Sequence, residues 1–232
     1  MKIAIIPARG GSKRIPKKNI KNFLGKPIIS YSIKAAISSK LFDKIVVSTD
    51  CNKIARVAKK FKAEVPFIRP ARLSGDFIGV QEIIKHAIKH LEISEKKKIQ
   101  SICCIYATAP LIQPNDLIKG YNLMKKGNWN SVIAASKFSY PILRSFKKLS
   151  SGKLKITFPK HYRSRSQDLS DFYHDAGQFC WAKTNVWKSR KNIISNNCTL
   201  IDLPNEFVQD IDTIEDWKKA ENIFKFKNNF KY

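Results

Sequence analysis

Apolar residues recur along this chain with two alternating periods, and that alternation restricts the architectures open to it. Lys2 to Ala8, Lys44 to Asp50, Ile99 to Tyr106, Ser131 to Ala135 and Gln178 to Lys183 are short and largely apolar, as buried strands are. Between them lie stretches with apolar residues three and four apart. Pro27 to Leu41 sets Ile29, Ile33, Ala36 and Ile37 on one helical face, and Asn52 to Phe61 does so with Ile54, Val57, Ala58 and Phe61. Val80 to Leu91, Pro114 to Lys126 and Ile214 to Phe226 read as further helices, the last with Thr213 as its cap and Asp216 closing a capping box. Strands and helices in alternation predict an α/β fold with a mostly parallel sheet sandwiched by helices. Ligands of such sheets sit outside the C-terminal strand ends. The segments after Ala8, Asp50 and Tyr106 should therefore share one face. Residues 137–177 break the rhythm with Pro141, Pro159 and scattered aromatics, and read as an excursion that covers the site or meets a partner subunit. With no internal repeat and no linker, residues 1–232 read as a single domain carrying that inserted segment.

The face so defined begins with Arg9, Gly10, Gly11, Ser12, Lys13 and Arg14, followed by Lys17, Lys18 and Asn19. Two glycines let the backbone turn tightly and approach a ligand. The hydroxyl, cations and amides can bind phosphate oxygens through charge-assisted hydrogen bonds. The spacing matches neither a P-loop nor a dinucleotide fingerprint. Asp210 and Asp212 are alternate residues of a segment that reads as extended, so their carboxylates point to one side and suit a shared Mg²⁺ that also takes phosphate oxygens. His86 and His90 lie one helical turn apart without a third ligand and read as surface or packing residues.

Charge and cysteine content narrow the field. Lys and Arg total 44 against 18 acids, a net charge of +26 that attracts anions such as nucleotides, nucleic acids and acidic sugars. The lysines are dispersed and lack arginine–aromatic interleaving, which argues against a nucleic-acid partner. No apolar stretch is long enough for a membrane span, and the N-terminus lacks the order of a signal peptide. The five cysteines match no metal spacing and read as thiols of a reducing cytoplasm.

The segments Ile5 to Lys13 with Lys18 and Asn19, Val47 to Asp50, Arg69 with Pro70, and Gln209 to Thr213 together resemble the cytidylyltransferases that activate nonulosonic (sialic-type) sugars, over nearly the whole chain. Tyr106 to Ile112 lacks the Gln and Arg of the N-acetylneuraminate enzymes. With Tyr173 to Phe179, it is similar to the branch acting on pseudaminic acid. The resemblance implies a Rossmann-like nucleotidyltransferase fold and attack of the sugar's anomeric hydroxyl on the α-phosphorus of CTP. It implies a nucleotide site of Ala8, Arg9, Gly10, Gly11, Ser12, Lys13, Lys18, Asn19 and Arg69, with Lys18, Arg9 and Asp212 catalytic. Asp210 and Asp212 would hold Mg²⁺, and Tyr106, Tyr173, His174 and Gln178 would face the acidic sugar. It also implies a homodimer formed through residues 137–177. The general base stays open between Asp212 and metal activation, and so does the sugar among related nonulosonates and 3-deoxy-octulosonates.

Overall fold

The computed structural model describes residues 1–95, 98–190 and 192–229. Its elements in chain order are β1 (Lys2–Pro7), β2 (Asn22–Phe23), β3 (Lys26–Pro27), α1 (Ile29–Ser38), β4 (Lys44–Ser48), α2 (Asn52–Lys60), α3 (Val80–Ser94), β5 (Ser101–Ile105), α4 (Pro114–Lys126), β6 (Ser131–Lys137), β7 (Phe146–Lys148), β8 (Leu154–Ile156), β9 (Tyr173–Lys183), α5 (Thr184–Lys188), β10 (Cys198–Asp202) and α6 (Ile214–Asn229), with short 3-10 turns between. Six strands form one sheet in the order β10-β6-β9-β5-β1-β4. β1 pairs in parallel with β4 and β5, and β10 with β6. β9 runs antiparallel between β5 and β6. The mostly parallel sheet matches the sequence expectation.

Both faces of the sheet are buried, as helix crossovers require. Successive side chains of β1 alternate between them. Ala4 and Ile6 join Ile29, Ile33, Ile54 and Leu117 of α1, α2 and α4 on one side. Ile3 and Ile5 join Ile84, Ile88 and Leu91 of α3 and Trp187 of α5 on the other. A third cluster, of Ile15, Phe23, Ile28, Ile211, Trp217 and Ala220, ties the segment after β1 to α6. It lies beside the site and sets the positions of both site-bearing segments.

Several details differ from the sequence expectation. Pro27 is not the start of α1. Leu24 and Gly25 both take positive φ (46° and 89°) and close a tight turn, which captures Lys26 and Pro27 as a strand opposite Asn22 and Phe23. Ile37, placed on the inner face of that helix, is 40% exposed. The inserted segment is shorter than residues 137–177, because β6 runs on to Lys137 and β9 begins at Tyr173, with Lys137 opposite Tyr173. A register shift near Ile133 and Ala135, and Gly177 at φ 62°, break the alternation that would have marked Tyr173 to Gly177 as strand. The excursion, residues 138–172, carries the small β7–β8 ribbon and exposed Tyr140, Phe146 and Leu154. Cys198–Asp202, unread in the sequence, is the short edge strand β10.

Candidate active site

β1 lies between β4 and β5, so the chain leaves it at the point where strand connections diverge, and the C-terminal ends of β1 and β5 frame a crevice. A pocket of about 210 Å³ occupies this place. Arg9, Ser12, Lys13, Arg14, Lys18 and Asn19 line it from the first loop, Arg69 from the segment beyond β4, and Tyr106, Ala107 and Thr108 from the turn after β5.

The loop's shape is held from behind. The backbone N–H of Gly10 donates to Asp50 Oδ1 (2.8 Å), at the end of β4. A Cβ on Gly10 would stand 3.0 Å from that of Cys51, so only glycine fits without a shift. Ser12 N–H closes a turn onto the Gly10 carbonyl at 3.1 Å. Buried Asn19 donates its Nδ2 hydrogen to the Arg9 carbonyl (2.8 Å), which pins the two ends of the loop together. Arg69 is almost fully buried. Its Nη1 donates to the Ser48 carbonyl (3.3 Å) and its Nε to Ser74 Oγ (3.1 Å), while Nη2 lies 3.9 Å from Asp50 Oδ1. Burial lowers the pKa of this guanidinium, and the Asp50 carboxylate opposes that fall. Asp50 thus links the glycine loop to Arg69, a role that its place at the end of a strand did not disclose.

The closing acids reach the same place from the far end of the chain. Thr213 and Asp216 form the expected capping box: Asp216 N–H donates to Thr213 Oγ1 (3.1 Å), and Thr213 N–H donates to Asp216 Oδ2 (2.8 Å). Asp216 Oδ2 also accepts from Asp212 N–H (3.2 Å), so the cap fixes the acid segment. The Thr213 hydroxyl, then its amide, hold the Asp216 pKa low. Lys18, with only 19% of its side chain exposed, donates Nζ to the Ile211 carbonyl (2.6 Å) and lies 3.3 Å from Asp212 Oδ1. Arg14 Nη2 meets the same Asp212 oxygen at 2.7 Å. Asp210 sits against Gly177, whose ideal Cβ would fall 3.2 Å from the Asp210 carboxyl carbon.

Surrounding protein, then the negative charge of Asp212, raise the Asp210 pKa, and Lys18 opposes them. The neutral form is therefore favoured relative to an ordinary aspartate. In the metal-free protein Asp212→Asn, which removes a raising charge, should lower the Asp210 pKa, and an NMR titration of the Asp210 carboxyl reads that shift.

The candidate residues other than the acid pair fall into four groups. Ala8, Gly10 and Gly11 form the backbone of the loop, with Gly11 exposed and free of close neighbours. Arg9, Ser12, Lys13, Lys18, Asn19, Arg69 and Tyr106 line the pocket itself. Gln178 is buried beside it: its backbone carbonyl accepts from Tyr106 N–H, its Nε2 donates to the Phe207 carbonyl, and its Oε1 is a buried acceptor without a partner. Tyr173 and His174 lie farther along β9 toward the excursion, where the His174 ring packs on Phe138 and lines a second groove with Tyr140, Phe146 and Tyr162. Sequence reasoning missed Asp76, which pairs with Arg9 and Lys13 at 2.6 Å each, and left Arg14, which lines the pocket and meets Asp212, out of the site. Only the fold brings these charges together.

Asp210 and Asp212 suit a divalent cation in their chemistry. They are hard oxygen donors whose mutual repulsion a cation would relieve. Among the described residues no cluster of three or more metal-binding side chains occurs. Such a sparse donor set fits Mg²⁺, which commonly takes one or two carboxylates and completes its shell with water and phosphate.

A cation-lined glycine loop at the switch point of a parallel sheet, facing two carboxylates, has the design of a nucleotidyltransferase. The family model described as "Cytidylyltransferase" matches residues 3–222, and the chain belongs to that family. It is 42% identical over 223 residues to the pseudaminic acid cytidylyltransferase of Campylobacter jejuni subsp. jejuni serotype O:2, covering 96% of each chain. It is 35% identical over 210 residues to a Helicobacter pylori protein named "Pseudaminic acid cytidylyltransferase and UDP-2,4-diacetamido-2,4,6-trideoxy-beta-L-altropyranose hydrolase", covering 90% of this chain and 40% of that one. Among solved structures, a CMP:2-keto-3-deoxy-manno-octonic acid synthetase complexed with CTP superimposes with a TM-score of 0.72 over 97% of this chain and 99% of that one. At 13% identity, that likeness speaks for the fold alone.

Proposed function

We propose that this cytidylyltransferase moves CMP from CTP to the anomeric hydroxyl of a nonulosonic acid, and that the acid is pseudaminic acid. One observation carries the site assignment. The Lys18 ammonium, which lines the pocket, joins the glycine loop to Ile211 and Asp212, residues 193 and 194 positions away. The sugar is supported by the 42% identity to the Campylobacter jejuni enzyme.

In this reading the hydroxyl oxygen forms a bond to the α-phosphorus, the bond from that phosphorus to the β-bridging oxygen breaks, and pyrophosphate leaves with the electron pair. The hydroxyl proton passes to Asp212 or to solvent. Arg9, Ser12, Lys13 and Lys18 hold the triphosphate and meet the charge that grows on the leaving pyrophosphate. Asn19 and Arg69 hold the loop and the nucleotide in register for in-line attack. Asp210 and Asp212 would hold Mg²⁺, which supplies further charge neutralisation at phosphate oxygens when bound. Tyr106 and Gln178 are the candidates for the sugar side in this reading; Gln178 Oε1 is buried and has no partner among the described residues, so it could accept from a sugar hydroxyl or N–H only after the wall beside Tyr106 opens. Tyr173 and His174 stand at the join to the excursion.

The same reading makes the enzyme a cytoplasmic homodimer. Five free thiols fit a reducing compartment. The exposed Tyr140, Phe146, Leu154 and Phe172 of the excursion offer an apolar surface to a second copy. No described helix is long and apolar enough to cross a membrane.

Pyrophosphate release, measured with CTP, Mg²⁺ and a panel of nine-carbon and eight-carbon acidic sugars, tests the assignment. Pseudaminic acid should give the highest kcat/KM. Turnover of another panel member alone would replace the sugar and keep the reaction, while no release with any member would remove the reaction itself.

A further inference from the structure

The cations that this reading assigns to the triphosphate are already engaged. Arg9 Nη1 lies 2.6 Å from Asp76 Oδ1, and Lys13 Nζ lies 2.6 Å from Asp76 Oδ2. Each carboxylate oxygen takes one cation, as two oxygens of a polyphosphate would. Asp76 belongs to the segment between the 3-10 turn Ala71–Leu73 and the start of α3 at Val80.

That segment is lightly held. Gly75 and Gly79 flank the central residues, and Phe77 is fully exposed, so its ring does not hold the segment to the body. Inside it the backbone closes one weak turn, Ile78 N–H to the Gly75 carbonyl at 3.4 Å. Its base is fastened, since Ser74 Oγ accepts from the buried Arg69. The Lys13 and Arg9 contacts, in that order, lower the Asp76 pKa, which keeps the carboxylate charged at neutral pH.

We propose that Asp76 is the resting counter-ion of the polyphosphate site, a tethered competitor that holds Arg9 and Lys13 until an incoming polyphosphate displaces it and segment 74–79 swings aside. The inference rests on the reading of Arg9 and Lys13 as phosphate ligands. Partly exposed ion pairs are individually weak, so a ligand carrying several phosphate charges can displace both. The competitor lowers the apparent affinity of any ligand that needs those two cations, in proportion to the fraction of molecules in which they are free. A ligand that does not reach them bears no such cost. The device thus sets the nucleotide concentration at which the site fills. It also separates polyphosphates from monophosphates.

Titration calorimetry of wild type, Asp76→Asn and Asp76→Glu with inorganic pyrophosphate, CTP and CMP tests this. Asp76→Asn should bind pyrophosphate and CTP about three- to tenfold more tightly than wild type. CMP, without β- and γ-phosphates, should bind both equally. Asp76→Glu keeps the charge and should stay close to wild type, and thermal melts check that all three are folded. Unchanged or weaker pyrophosphate binding in Asp76→Asn would overturn the proposal, as would equal tightening for CMP. The catalytic reading fails separately. Tighter pyrophosphate binding in an enzyme that releases none from CTP would keep the counter-ion and remove the reaction. Normal turnover without tightening would do the reverse.

Discussion

Asp212→Asn should cost about 10²- to 10³-fold in kcat, the usual scale when one preorganised electrostatic element of a transition state is removed. Asp212 stands where the two halves of the site meet, within 2.7 Å of Arg14 and 3.3 Å of Lys18. Removing its charge takes away one of two proposed Mg²⁺ ligands and leaves Lys18 bound to the Ile211 carbonyl alone. The fold should survive, because 39% of the Asp212 side chain is exposed. The Arg14 side chain is 67% exposed, and so open a pair contributes at most about 1 kcal/mol to stability, while the more buried Lys18 keeps its bond to the Ile211 carbonyl. Steady-state pyrophosphate release beside a thermal melt separates the outcomes. Near-normal turnover in a folded Asp212→Asn enzyme would sink the assignment of the acid pair.

The second large effect concerns a residue that touches no substrate in this reading. Gly177 has φ 62°, and an added Cβ would lie 3.2 Å from the Asp210 carboxyl carbon and from one of its oxygens. Gly177→Ala therefore places a side chain in a left-handed conformation, at about 1 kcal/mol, and pushes Asp210 out of place. Misplacement of a reacting or metal-holding group by ~1 Å commonly costs about 10²-fold in rate, so a shift of a few tenths of an ångström at Asp210 should cost about tenfold. Gly152→Ala supplies the control. Gly152 also has positive φ (83°), but nothing lies within 4 Å of its ideal Cβ, and it sits in the turn of the excursion's ribbon. Both variants should lose comparable stability, and only Gly177→Ala should lose turnover. Equal activity in the two would mean that the exact seat of Asp210 does not matter.

Residues that act through local periodicity were legible from the chain. Ile3 to Ile6 announced a strand buried on both faces, and Ile83, Ile84, Ala87, Ile88 and Leu91 announced the inner face of α3. The Thr213–Asp216 capping box spans three residues and could be read directly. Reading failed where a contact across the fold overrode the local pattern. Pro27 looked like a helix start until the Leu24–Gly25 turn claimed it for a hairpin. Tyr173 to Gly177 looked irregular because a bulge and a positive φ hid strand pairing that the neighbouring β6 supplies.

The sequence alone determined the fold class, the family, and most of the loop residues that line the pocket, because strand and helix periods and a glycine-rich turn are encoded by residues close together in the chain. Only the tertiary structure decided which charges face one another. Lys18 meets Asp212 across 194 positions, Asp50 takes the Gly10 amide across 40, and Asp76 closes on Arg9 and Lys13 from a loop that carries no motif of its own. Charge pairing depends on distance in space. The packing of Ile15, Phe23, Ile211 and Trp217 holds the glycine loop and the closing acids within that distance.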